Sequence, residues 1–172
     1  MSIQLVRPSA FYKNSFLPAA ALIKAEGNNN FLTIEVRDDN FEAYCNYLIG
    51  QEQGIGLTAD QVPNTILWLV DGAEFLGRIS IRHRLNHFLL HFGGHIGYII
   101  APMHRKKGYG TLILEMGLKK AAELGINPAL VTCDDSNIPS KKIIEKNGGI
   151  FEDERYLEER KVTKLRYWFK TS

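Results

Sequence analysis

The hydrophobic positions of this chain follow two rhythms, and the places where the rhythm changes mark its elements. Ile3 to Val6 alternate weakly and predict a short first strand. From about Phe11 to Glu26 the spacing turns helical, with Pro18 inside it, expected to kink the helix or start a second one. Gly27-Asn28-Asn29-Asn30 reads as a loop. Asp39-Asn40 offers an N-cap for a helix through about Ile49, with Phe41, Tyr44, Cys45 and Leu48 on one face. Gln51 to Pro63 is polar and glycine-bearing, so a surface loop is expected.

The middle of the chain is strand-like. Thr65 to Val70 is a nearly unbroken apolar run, as in a strand buried on both faces. Asp71-Gly72 signals a hairpin into a second strand from about Glu74 to Arg82. Asn86 to Phe92 fits a short helix or ordered loop, stopped by Gly93-Gly94, and His95 to Ala101 is the next strand. A helix follows, with Leu114, Leu118 and Ala121 on one face, Met116 and Leu124 flanking it, and Gly125 as its C-cap. Ala129 to Cys133 is a central strand by its low polarity. Asn137-Ile138-Pro139-Ser140 opens a helix to about Lys146, closed by Gly148-Gly149. Late strands fit Ile150 to Glu158 and Lys164 to Phe169. Neither repeats nor a linker interrupt this order, so residues 1–172 are expected to form one mixed α/β domain.

Composition narrows the function classes. Hydrophobic content of 45% and charged content of 23% are ordinary for a globular protein. A net charge of +2 is too close to neutral to argue for nucleic acid. The N-terminus carries no signal-peptide pattern, and no apolar run reaches membrane-spanning length. Cys45 and Cys133 form no close motif. A cytoplasmic, reduced protein off the membrane, with neither a disulfide framework nor a thiol metal site, is the expectation.

The chemistry concentrates at Ile96 to Thr111: an apolar strand, then the basic glycine loop Arg105-Lys106-Lys107-Gly108-Tyr109-Gly110, then a helix start. Glycines let a ligand approach the backbone. The first turn of a helix leaves N–H groups without intrahelical partners, and the helix dipole favours a phosphate there. The plain alternative is a tight turn with solvated lysines.

From Gly94 to Phe151 the sequence resembles the GNAT acyl-CoA-dependent N-acetyltransferases. That family's signature is Arg or Gln, two residues, Gly, one residue, then Gly or Ala, and Arg105 to Gly110 matches it. Its setting also matches: a strand ending in Ala101-Pro102 before it, a helix ending in Gly125 after it, and then Asn137 and Ser140 opening the next helix. The resemblance implies an α/β (α+β) acyl-CoA N-acyltransferase fold, with a mixed central sheet of about six to seven strands flanked by helices. It implies acetyl-CoA as cosubstrate, with its pyrophosphate on the amides from about Lys106 to Thr111 and the Thr111 hydroxyl nearby. The cofactor's pantetheine arm would pair with Tyr98, Ile99 and Ile100, where two strands of the family splay apart. Arg105, Lys106, Lys107 and Tyr109 belong to the same loop, and Asn137, Ser140 and Lys141 would reach the cofactor from the next helix. The partner that the resemblance implies is an amine acceptor. Many relatives are dimers, and nothing in this sequence requires one.

Acetyl transfer to an amine needs the neutral nucleophile. At a pKa of about 10.4 only about one lysine-like amine in a few thousand is neutral at pH 7, a deficit on the order of 4–5 kcal/mol. His95, at the start of the central strand, is the expected base, with Glu35, Asp38 and Glu42 as alternatives; its plain reading is a histidine that fixes the strand start. Many relatives serve the leaving thiolate with a tyrosine, and the matching position here is Ile144. Tyr98 is the expected substitute acid. An acyl-Cys133 intermediate conflicts with the buried strand expected around it. His87, His91 and His95 suggest a metal by spacing, but Gly93-Gly94 breaks the helix between them, so no metal is expected. Arg78, Arg82 and Arg84 alternate onto one face, which is either a solvated sheet face or a patch for an anionic substrate. Tyr156, Tyr167, Trp168 and Phe169 read as core or edge-strand aromatics. The fold alternatively permits a non-catalytic acyl-CoA-binding or sensing module.

Overall fold

The computed structural model describes residues 2–28, 31–32 and 34–172. Its core is a seven-stranded sheet, with β1 (Ile3–Val6), β2 (Asn64–Asp71), β3 (Glu74–Arg82), β4 (Ile96–Ile100), β5 (Ala129–Asp134), β6 (Ile150–Leu157) and β7 (Val162–Phe169). The spatial order is β1-β2-β3-β4-β5-β7-β6. Every neighbouring pair is antiparallel except β4 and β5, which are parallel. Helices α1 (Lys13–Ala25) and α2 (Phe41–Gly50) cover one face, and α3 (Tyr109–Glu123) and α4 (Ile138–Lys146) cover the other. None of the described helices is long and apolar enough to cross a membrane.

Both faces of β2 are buried, which explains its unbroken apolar run. Leu67 and Leu69 join the α3–α4 side, while Ile66, Trp68 and Val70 join the α1–α2 side. There Phe16 stacks on Trp68 with ring centroids 4.6 Å apart, and Phe41, Tyr44, Cys45 and Leu48 of α2 close the layer. A bulge in the β2–β3 ladder, where Leu69 pairs with Gly77 and Val70 with Phe75, switches the faces of β3. Beyond it, Ile79 and Ile81 face α3, so Arg78, Ser80 and Arg82 take the α1–α2 face.

Several boundaries differ from the periodicity. α1 begins after a 3-10 turn at Ala10–Tyr12, and Pro18 sits inside it without dividing it. Another 3-10 turn, Asp38–Asn40, precedes α2. Of the loop expected over residues 27–30, Asn29 and Asn30 lie outside the described residues. The segment before β4 ends in a π-helical turn, Leu89–Gly93. α3 buries Ile113, Leu114, Gly117 and Ala121, so Leu118 flanks the apolar face rather than lying at its centre. Gly117 is where α3 crosses the sheet, since a Cβ there would run into Ile79 Cδ1.

Candidate active site

The split in the sheet lies between β4 and β5. Their register holds one pair, Ile96↔Val131. The strands are brought together at Gly94, where a Cβ would stand 2.7 Å from the Leu130 carbonyl oxygen, so a larger residue would push them apart. Toward Ile100 they diverge. The Ala101 amide donates to Leu76 O at 2.9 Å and the His95 carbonyl accepts from Arg82 at 2.7 Å, so the odd-numbered carbonyls of this strand face β3. By strand alternation the amides of Tyr98 and Ile100 face the gap.

The gap opens into a cleft of about 600 Å³ lined by Tyr98, Ile99 and Ile100 of β4. Its far wall is the glycine loop, through Arg105, Lys106, Gly108, Gly110 and Thr111, and its third side is α4, through Asn137 and Ser140. Ten of the thirteen residues expected around the cofactor therefore meet in one cleft. Lys107 is exposed, the Tyr109 ring packs on the core, and Lys141 lies off the cleft. Asn28, Pro139, Lys142 and Ile143 line it without having been expected.

The loop is shaped to expose its backbone. Lys106 (φ 60) and Gly108 (φ 85) are both left-handed, and Gly108 is the N-cap of α3. Among the described residues, none of the amides from Lys106 to Thr111 donates to another backbone group; the first helical bond runs from Leu112 to Gly108 O at 3.2 Å. A Cβ on Gly108 would meet no protein atom within 4 Å, so that side is open to a ligand. Gly110 serves packing instead: a Cβ there would stand 2.5 Å from Ile143 Cδ1 on α4.

Arg105 holds this loop in place. Its guanidinium makes two 2.8 Å bonds to Glu26 beyond α1, and its Nε donates to Ile100 O at 3.1 Å. Asn137 caps α4 by accepting from the Ser140 amide at 3.2 Å. The Tyr98 hydroxyl lies 2.9 Å from Ser140 Oγ, and burial pushes its pKa up to about 12. Ile144 is fully buried in the core, so Tyr98 brings a hydroxyl to the start of α4 from the strand side.

His95 does not fit the role of base. Its Nδ1 accepts the Leu130 amide at 2.9 Å, which leaves the proton on Nε2. The side chain is 8% exposed. Burial, aided by the charge of Arg82, pushes its pKa down to about 4. The ring ties β4 to β5 where the gap begins. Glu35 and Asp38 are exposed and ion-paired with Arg37 and Lys13, and Glu42 is exposed. Burial pushes the Cys133 thiol up to about 11, away from the reactive thiolate. The His87 and His91 rings lie 4.4 Å apart, while His95 leaves with β4. No group of three or more metal-ligating side chains gathers among the described residues.

A second cavity, of about 280 Å³, lies on the other face of the sheet. Arg78, Ser80 and Arg82 of β3 line it, and Ser80 and Arg78 pair with Gly97 and Ile99 of β4. Arg84 lies past the strand and is exposed. The wall also carries a polar chain: Ser80 Oγ donates to Asn64 at 3.0 Å, and Asn64 donates to Gln51 at 3.0 Å.

A mixed sheet split between two parallel strands, with a row of open amides at the split, defines the acyl-CoA N-acyltransferase fold. The sequence model of the Acetyltransferase (GNAT) domain matches residues 24–150. The chain belongs to the GNAT family of acetyltransferases, acyltransferases that use acetyl-CoA. It is 35% identical over 68 residues to the uncharacterized N-acetyltransferase YnaD of Bacillus subtilis (strain 168), a match spanning 36% of this chain and 38% of that protein. Among solved structures it resembles the microcin C7 self-immunity acetyltransferase MccE in complex with acetyl-CoA and AMP, with a TM-score of 0.69 at 15% identity over 98% of this chain and 92% of that one. It also resembles an acetyltransferase from Salmonella typhimurium that modifies the N-terminal serine of ribosomal protein L7/L12, with a TM-score of 0.67 at 13% identity over 99% of this chain and 95% of that one. At these identities the structural likeness concerns the fold.

Proposed function

We propose that this chain is an N-acetyltransferase that moves an acetyl group from acetyl-CoA to a primary amine, directly and within a ternary complex. The observation that carries the reading is the β4–β5 gap, with one register pair and a wall of open amides from Lys106 to Thr111. Acetyl-CoA supplies an acetyl group activated as a thioester, and the products are an amide and a free thiol.

The chain's residues would divide the work. The Lys106–Thr111 amides and the N-terminal end of α3 suit the pyrophosphate, with Gly108 giving close access. The gap-facing amides of Tyr98 and Ile100 suit the pantetheine arm, and an amide at that edge can steady a carbonyl oxygen. The Tyr98 hydroxyl keeps its proton throughout the neutral range. Its pKa of about 12 lies above a thiol's ordinary value of about 8.5, so it serves the leaving sulfur as a hydrogen-bond donor rather than by full proton transfer. His95 positions β4. The amine would enter from the β3 face, where two guanidinia lower the pKa of a neighbouring amine and so favour its neutral form.

The test is thiol release from acetyl-CoA across a panel of primary amines. Amine-dependent release with an acetylated product is expected. Tight acetyl-CoA binding without amine-dependent release would instead support a sensing module.

A further inference from the structure

Resting on the acetyltransferase reading, we propose that the acceptor carries an oxyanion, a carboxylate or a phosphate, on the same small molecule as its amine, and that Arg78 and Arg82 bind it. Two cations on one strand face are unusual at the wall of a half-enclosed cavity, because the interior penalises unpaired charge. Both side chains are half-buried, and each meets only neutral groups. Arg78 donates to the Phe31 carbonyl at 2.6 Å and lies over the Phe31 ring, 4.5 Å from its centroid. Arg82 donates to the Gly93 and Gly94 carbonyls, both at 3.1 Å. Neither guanidinium has a carboxylate partner among the described residues. Burial lowers the pKa of both, and the charge of Arg78 adds to the lowering at Arg82.

The remaining donors have a shared outlet. A guanidinium carries five N–H donors, and the contacts above engage one nitrogen of each. The buried Tyr44 hydroxyl lies close beside Arg78, near enough for its charge and a weak hydrogen bond to be felt, although it falls outside strict hydrogen-bond geometry. Both arginines line the same cavity. Asp60, the one carboxylate lining it among the described residues, is held by Thr58 at 2.5 Å instead.

Position makes this an acceptor site. Gly97 of β4 has no side chain, and a Cβ built there would stand 3.5 Å from an Arg82 guanidinium nitrogen. Arg82 therefore lies across the backbone one residue before Tyr98, whose amide faces the gap. Arg78 stands beside Ile99, which lines the cofactor cleft. An oxyanion held by the two arginines on β3 leaves an amine on a short linker to reach β4, one strand spacing of about 4.8 Å away. Bidentate contacts to a guanidinium would fix its orientation. Two cations against one anion still leave the amine beside net positive charge, which favours its neutral form.

The test is calorimetric titration of the CoA-saturated protein with glycine, β-alanine and phosphoethanolamine, against ethanolamine and propylamine. CoA rather than acetyl-CoA keeps turnover out of the signal. At least one acid-bearing amine is expected to bind at least tenfold more tightly than either neutral amine. Arg78→Gln and Arg82→Gln should each weaken that binding at least tenfold without changing CoA affinity, and Arg78→Lys should recover part of it. CoA affinity and melting temperature show whether each variant is folded. Neutral amines that bind as tightly as acid-bearing ones overturn the proposal, as does a CoA-bound protein that takes none of the acid-bearing amines. Failure to bind CoA at all would instead break the acetyltransferase reading beneath it.

Discussion

The two cavities on either side of β3 and β4 are built from different materials. The β4–β5 cleft, proposed for the cofactor, is largely main chain: six amides from one loop, two amides from one strand edge, and Gly108, whose missing side chain leaves the loop open. The cavity on the β3 face, proposed above for the acceptor, is lined by residues from the end of α2, the loop before β2, strands β2 and β3 and the segment before β4. Backbone donors recognise what is common to every acyl-CoA. Side chains recognise what differs between acceptors. A single scaffold can therefore keep its cofactor while its acceptor varies, since changes on β3 leave the loop of Arg105 to Thr111 intact.

That contrast breaks most readily at Gly108. Gly108→Val forces a β-branched residue into φ 85 and points it at the open side of the loop. Acetyl-CoA affinity should fall by at least ~100-fold, measured by calorimetry, because the backbone cradle is both strained and filled. Gly110→Ala should behave differently: its Cβ meets Ile143, so melting temperature falls while cofactor affinity in the folded protein is largely kept.

The next effect concerns the hinge of the gap. The folded pKa of His95, about 4, lies below the ordinary 6.5, so the native state favours the neutral ring. The resulting stability is fully present above pH 6.5 and is lost as pH falls toward 4. Between pH 7 and pH 5 the loss should be about 2 kcal/mol in denaturant unfolding. His95→Asn, which retains an acceptor for the Leu130 amide, should flatten that dependence and leave the pH profile of turnover in place. A lost ionisation in the rate profile would return His95 to the role of base.

Smaller effects separate chemistry from scaffolding. Tyr98→Phe should lower kcat about tenfold with little change in KM for acetyl-CoA, as expected for a donor needed mainly at the leaving sulfur. Arg105→Ala removes the exposed Glu26 pair and the part-buried Ile100 contact, and should raise the acetyl-CoA KM about threefold with kcat retained. Equal losses in kcat and KM for these two variants would erase the distinction between them.

Local signals made the residues of the β4–β5 cleft legible in advance, because Arg105 to Thr111 and Asn137 to Ser140 are each contiguous segments that open a helix. Element order was legible for the same reason, down to β3 at Glu74–Arg82. What sequence could not display was partnership across distance. Arg105 looks like one more loop cation until Glu26 is found across from it, 79 residues away in the chain. His95 looks catalytic until the Leu130 amide is found on its Nδ1. Gly110 and Gly117 look alike until their neighbours, Ile143 and Ile79, are known. The spacing of Ile113, Gly117 and Ala121 at steps of four did carry a signal for the true buried face of α3. The arginine alternation on β3 was visible too, but whether that face met solvent or a cavity depended on α2 and the segment before β4.

The most direct measurement is calorimetric titration of the wild-type chain and Gly108→Val with acetyl-CoA, with ATP and NAD as controls. Tight binding of acetyl-CoA alone to the wild type, with loss in the folded variant, is the expected result. Wild-type protein that ignores acetyl-CoA, or a folded Gly108→Val that binds it equally well, would contradict the assignment of the β4–β5 gap and its amide cradle as the cofactor site.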